Sequence, residues 1–145
     1  MKKSILLIAG IIFLLSSCTQ PGFDESKAQD NLIMATLWYQ KSSELKAMYY
    51  QCFNWAKLRI DMDIQNSPSE MKKAVCVDID ETMMDNSPFE VNSINTGIGY
   101  TKESGSNWTS MMKATALPGA VEFSKYAESK GVEVFYISNR SVDDF

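Results

Sequence analysis

The sequence predicts an α/β fold: two leading helices, then a strand–helix–strand unit with parallel strands. Three stretches carry this prediction. Residues 74–80, AVCVDID, form a short valine-rich apolar run bounded by turn-forming residues, the pattern of a buried strand. Residues 132–138, VEVFYIS, repeat that pattern. Between them, LPGAVEFSKYAESKG has Pro118 ahead of its first turn and Gly131 as its stop, the punctuation of a helix. Two strands joined through a helix pair in parallel, with a right-handed crossover.

The leading residues belong to export rather than to the fold. Lys2 and Lys3 precede an unbroken apolar run over residues 5–15. That run is shorter than the roughly 20 residues of a membrane span and suits the core of a signal peptide. It ends in Ser16-Ser17-Cys18, the pattern of a lipobox. Cleavage after residue 17 would leave Cys18 as the lipidated N-terminus. A plain secretory signal with an incidental cysteine is the alternative. Thr19, not aspartate, follows the cysteine, which directs a lipoprotein of a two-membrane bacterium to the outer membrane. Removing Lys2 and Lys3 takes the 14 basic residues to 12 against 18 acidic ones, a net charge near −6. No basic run favours a nucleic-acid partner. Residues 18–28 carry proline, glycine and charge and read as a tether. The folded part is expected over residues 29–145.

From Gln29 the apolar spacing turns helical. Ser42 or Ser43 can cap a second helix. In it Leu45, Met48/Tyr49, Cys52/Phe53, Ala56 and Ile60 step by three and four residues, a packing stripe. Cys52 and Cys76 read as small buried hydrophobes rather than a disulfide. Residues 65–73 form a polar loop, and residues 86–107, with NTGIG and ESGSNW, read as a long irregular stretch.

There is no histidine in the chain. This removes a Ser-His-Asp triad and any histidine-ligated metal site. The chemistry must run on carboxylates, hydroxyls, lysines or a hard cation. In parallel sheets, ligands bind beyond the carboxyl ends of the strands. Both strands run into polar residues there: Asp78 and Asp80 after the first, Ser138 and Asn139 after the second. Asp78 is placed to attack an electrophile, and Asp80 to give a proton to the leaving group and take one from water. Thr82 is placed to fix the turn and hold Asp80. The Ser138 hydroxyl and backbone N–H are placed to bind phosphate oxygens. Two carboxylates beside a phosphate dianion repel by roughly 4 kcal/mol per pair about 4 Å apart at an effective dielectric of 20. A hard dication, Mg²⁺, would offset this, with the Asp78 carboxylate and the Asp80 carbonyl as ligands. An EF-hand calcium loop is excluded, because no glycine occupies its sharp turn and no glutamate its twelfth position. Asp78 as a turn-former with Asp80 as a helix cap explains part of the set but not the crevice.

VCVDIDETMMDNSPF, LPGAVEF and VFYISNR together resemble the haloacid-dehalogenase superfamily. More narrowly, the chain is similar to the bacterial class C acid phosphatases, lipoproteins of the 5′-nucleotidase type. The leading LWYQKSSELKAMYYQCFNWAK and the lipobox agree with that family. The resemblance implies a doubly wound parallel sheet, incomplete here, preceded by a helical pair. It implies a Mg²⁺-dependent phosphomonoesterase with nucleotide-like substrates, lipid-anchored in the bacterial envelope. Asp78 matches the nucleophile, Asp80 the acid/base and Ser138 the phosphate binder of the second motif. Trp108 falls where the family has an aromatic-containing segment near the substrate; loop packing is its plainer role. The family continues through a lysine motif and an acidic pair that completes its metal site. Neither is found before Phe145, and Asp143 and Asp144 follow the second strand too closely to substitute. The chain is therefore expected to be the N-terminal part of such a phosphatase, binding Mg²⁺ weakly and turning over slowly or not at all by itself. A lipid-anchored protein that binds nucleotide or another ligand without catalysis is the competing expectation; a structural lipoprotein with incidental aspartates is a third.

Overall fold

The computed structural model describes residues 25–67 and 71–141. The expected signal peptide, Cys18, Thr19, Asp143 and Asp144 lie outside the described residues. Helical backbone begins with a 3₁₀ segment, Glu25–Leu32, within the stretch expected as a tether. Helix α1 follows at Ile33–Lys41 and α2 at Ser43–Asn66. Ser42 separates them in extended conformation and caps α2, its hydroxyl accepting the Leu45 N–H. Strand β1 is Ala74–Asp78 and the two-residue β2 is Met84–Asp85. Helices α3 (Ser87–Thr96) and α4 (Lys102–Ser110) lead to β3 (Thr115–Ala116), α5 (Ala120–Ser129) and β4 (Glu133–Ile137). Among the described residues no helix is long and apolar enough to cross a membrane.

β1 and β4 pair in parallel, with Ala74 opposite Glu133 and Asp78 opposite Ile137. β2 and β3 form a small antiparallel pair beside them, Met84 opposite Ala116. The expected strand–helix–strand unit is therefore present. Its helix α5 starts from Gly119 at φ 86°, where an added Cβ would also come within 3.1 Å of the Phe53 ring.

Residues 86–107 are not the irregular stretch expected. They contain α3 and most of α4. Neither helix shows an apolar stripe strong enough to read, and their ends explain them better. α3 has proline in its first turn and ends on Gly97 in the left-handed conformation. α4 starts at a reciprocal cap: the Ser104 N–H donates to the Thr101 hydroxyl, and the Thr101 N–H to the Ser104 hydroxyl.

The core lies between α2 and α5, over one face of the parallel pair. Phe53, Met83, Ala120 and Phe123 are buried together, with Tyr49, Ala56, Ile60, Val75 and Val77 packed against them. The Phe53 and Phe123 rings meet at 5.3 Å between centroids. The Tyr126 hydroxyl on α5 donates to Asp61 on α2 at 2.6 Å, and Lys130 pairs with the same carboxylate at 3.1 Å. Cys52 and Cys76 are free and exposed, not buried as expected. Cys52 falls on the outer flank of α2, and Cys76 on the uncovered face of β1.

Phe123 is 1% exposed. Phe123→Ala is expected to cost about 3–5 kcal/mol through lost burial and a residual cavity. Urea unfolding should show this as a lower midpoint with an unchanged slope.

Candidate active site

The register of the parallel pair sets the site. Asp78 closes β1 opposite Ile137, and Ser138 and Asn139 follow β4 at the same end. Asp78, Ser138 and Asn139 border one concavity of about 360 Å³, with Cys76 on its wall. After Asp78 the chain turns sharply. The Ile79 carbonyl accepts the N–H groups of Met83 and Met84 at 2.8 and 2.9 Å. This turn brings Thr82 back over the strand end, where its hydroxyl donates to Asp78 Oδ2 at 3.0 Å. Thr82 therefore supports Asp78, not Asp80 as the sequence suggested. A threonine four residues on reaches the first aspartate because the turn is a single tight coil.

Asp80 is held by three other residues. The Ser138 hydroxyl donates to it at 3.3 Å across 58 positions of sequence. Asn86 Nδ2 donates at 2.8 Å, and Arg140 grips it through Nε and Nη2. The Arg140 guanidinium holds the Asp80 carboxyl below the usual carboxylate range, against the opposing effect of partial burial. Asp80 is thus ionised in this arrangement. Arg140 and Asn86 had no assigned role in the sequence reading. A lone arginine two residues past a strand-end serine was a signal for the first; nothing in spacing pointed to the second.

Asn86 also accepts from the Trp108 indole N–H at 2.9 Å. Indole nitrogen only donates, so the Asn86 oxygen must face Trp108 and its amide nitrogen must face Asp80. Trp108 is consequently tied to the aspartate through one side chain. Its ring also lies 6.3 Å from that of Phe89. Trp108, on α4, thus packs against Phe89 of α3 and lines the cleft that Asp80 also lines. That cleft, about 640 Å³, is lined by Asp80, Asn86, Tyr100, Trp108, Asn139 and Arg140 among others. A larger concavity of about 780 Å³ lies beside α5 and β4, but neither aspartate lines it.

A hard cation fits this site in donor type. The Asp78 carboxylate is exposed at the rim, and the Asp80 carbonyl oxygen belongs to the same turn. The Asp80 carboxylate is already engaged by Arg140, which leaves its carbonyl as the available donor. Among the described residues no three acidic, histidine or cysteine side chains cluster as a metal-binding group. Such an ion would keep water in most of its coordination positions, as Mg²⁺ commonly does.

A carboxylate pair and a serine at the ends of adjacent parallel strands, approached by a tight coil and a small antiparallel pair, define a class. The chain belongs to the HAD superfamily, subfamily IIIB (acid phosphatase), whose family model matches residues 20–144. HAD superfamily phosphatases are generally metal-dependent. The class C acid phosphatase from Bacillus anthracis, in a crystal structure with tungstate bound, is 44% identical over 81% of this chain, with a TM-score of 0.77. A second crystal structure of the class C acid phosphatase from that organism is 42% identical over 83% of this chain, again with a TM-score of 0.77. The chain spans 49% and 50% of those two proteins, about half their length.

Asn86→Leu keeps the volume but neither donates nor accepts. It leaves the Trp108 indole and one side of Asp80 without a partner, at an expected cost of about 1–3 kcal/mol. Urea unfolding should register the loss, and the near-UV circular dichroism of Trp108 should weaken as its ring is released.

Proposed function

We propose that this chain carries the nucleophile-bearing part of a Mg²⁺-dependent acid phosphatase that hydrolyses phosphomonoesters, nucleotides foremost, through an aspartyl-phosphate. One observation carries the reading: Asp78 and Ser138 stand at the same end of a parallel pair, with Asp80 hydrogen-bonded to Ser138. Asp78 attacks phosphorus, and the ester P–O bond breaks. Thr82 steadies the attacking carboxylate through Oδ2. Ser138 and the backbone beyond it, with Asn139, receive the phosphoryl oxygens. Asp80 gives the leaving alkoxide its proton, then takes a proton from the water that attacks the aspartyl-phosphate. Arg140 keeps Asp80 in the form that accepts a proton; giving one requires prior protonation, which an acid medium favours. Mg²⁺ at the Asp78 carboxylate and Asp80 carbonyl would offset the charge of carboxylates and phosphate.

Tyr100 and Trp108 beside Asp80 support an aromatic leaving group such as a nucleoside. Tungstate, bound in the Bacillus anthracis relative, is an oxyanion of phosphate's kind. The leading residues support export and lipid anchoring at Cys18 in the bacterial envelope, at the outer membrane.

Phosphate release from nucleoside monophosphates, by the whole phosphatase of which this chain is part, is the test. Asp78→Asn is expected to lower it by roughly 1,000-fold or more, since a carboxamide neither attacks phosphorus nor holds a cation well. EDTA should suppress release and added Mg²⁺ restore it. Undiminished release by Asp78→Asn would refute the assignment. Separately, Cys18→Ser should shift the protein from the membrane fraction to the soluble periplasmic one; persistence at the membrane would count against the lipid anchor.

A further inference from the structure

Between Asp80 and Thr82 stands Glu81, at φ 55°. That left-handed conformation is unfavourable for a residue with a Cβ. It is held from two sides. The Glu81 N–H donates to the Met84 carbonyl at 3.0 Å. The Glu81 carbonyl accepts from the Tyr49 hydroxyl at 2.7 Å, from a residue 32 positions earlier on α2.

Tyr49 has a partner of its own. The Tyr39 hydroxyl on α1 lies 2.7 Å from that of Tyr49. A carbonyl only accepts, so the single Tyr49 proton is committed to Glu81, and Tyr39 must donate to Tyr49. The hydrogen bonds therefore run in one direction, Tyr39 to Tyr49 to the Glu81 carbonyl, and each polarises the next. The two rings meet edge to face, 6.4 Å between centroids, which fixes the approach of the hydroxyls. Burial raises the pKa of both phenols, so both stay protonated at any working pH.

The Glu81 backbone sets the neighbours on either side. Its φ governs how Asp80 leaves β1, and its ψ governs where the Thr82 hydroxyl reaches Asp78. Its side chain turns away from the core, toward Asn86 and the cleft that Asp80 lines. The ring of Tyr49 belongs to the packing stripe of α2, while its hydroxyl links Tyr39 to this turn.

We propose that Tyr49, backed by Tyr39, is a positioning residue for the phosphoryl-transfer site. Its hydroxyl latches the left-handed Glu81 and so fixes Asp78, Asp80 and Thr82 relative to one another. The leading helical pair is then part of the catalytic apparatus rather than an appendage to it. This rests on the phosphatase reading above.

Tyr49→Phe keeps the ring and deletes the donor. In the phosphate-release assay kcat falls roughly fivefold to tenfold, the worth of one such hydrogen bond, while KM stays within about twofold. Amide hydrogen exchange accelerates at Glu81 and Thr82 but not at Phe53 or Phe123. Adding Glu81→Asn, which tolerates the left-handed conformation and keeps a polar side chain toward Asn86, restores part of the lost kcat. Tyr126→Phe deletes a comparable hydroxyl contact, to Asp61, away from the turn; it leaves kcat unchanged. The proposal is overturned if Tyr49→Phe alters neither kcat nor exchange at Glu81. It is equally overturned if the loss resists Glu81→Asn and exchange quickens throughout the core. A whole wild-type phosphatase that released no phosphate would refute the phosphatase reading instead, and the exchange comparison would still decide whether the latch exists.

Discussion

Asp78 faces Ile137 across the parallel ladder, and the other features of the site follow from that pairing. Slipping β4 by one residue against β1 would turn its side chains to the opposite face. Ser138 would then no longer meet Asp80. The register is secured well away from the site. At the opposite end of the strands the Glu133 N–H donates to the Lys73 carbonyl at 2.9 Å, and Lys73 is ion-paired to Asp63 on α2. At the crossover the Val132 N–H returns to the Ala127 carbonyl at 3.0 Å, so α5 delivers β4 at a set height. Phe53 and Phe123 fill the space between the two long helices and the strands. The core thus holds the strands in step, and the strands hold the polar rim.

Within that rim, two aspartates two residues apart meet different surroundings. Asp78 is exposed and receives one neutral donor, from Thr82. Asp80 is partly buried and receives a serine, an asparagine and a guanidinium. Pairs of like groups in unlike environments are how one site divides two tasks between identical side chains. Asp78 closes the strand, and the coil that follows carries Asp80 to its own partners. Arg140 matters here as charge as well as geometry. It removes much of the repulsion that two neighbouring carboxylates would otherwise exert on each other and on an incoming anion.

Much of this was legible in the sequence, and the remainder was hidden for identifiable reasons. The two strands and α5 announced themselves because apolar runs, Pro118 and Gly131 are local signals. Asp78, Asp80, Ser138 and Asn139 followed, since the end of a parallel strand is a place the topology predicts. The helices α3 and α4 were read as loop because SPFEVNSINT and KESGSNWTS carry little apolar periodicity; their ends, not their faces, define them. Thr82 was assigned to the wrong aspartate because its reach depends on a turn whose tightness is invisible in spacing. Asn86 and Arg140 reach Asp80 from 6 and 60 positions away in sequence; the place of Arg140 just past a strand end is a hint, and spacing gives none for Asn86. Thiols are usually buried, but among the described residues nothing covers Cys76 on β1 or Cys52 on α2.

That uncovered side has a consequence for how the molecule behaves among its neighbours. Phe135, Tyr136 and Ile137 are 53%, 51% and 59% exposed, on a strand paired along one edge only among the described residues. An open edge lined with apolar groups is a template for another strand. A net charge of −4 across 145 residues supplies little mutual repulsion, and physiological salt screens it within about 8 Å. Association between copies of this chain is therefore set by the edge of β4 as well as by their acidity.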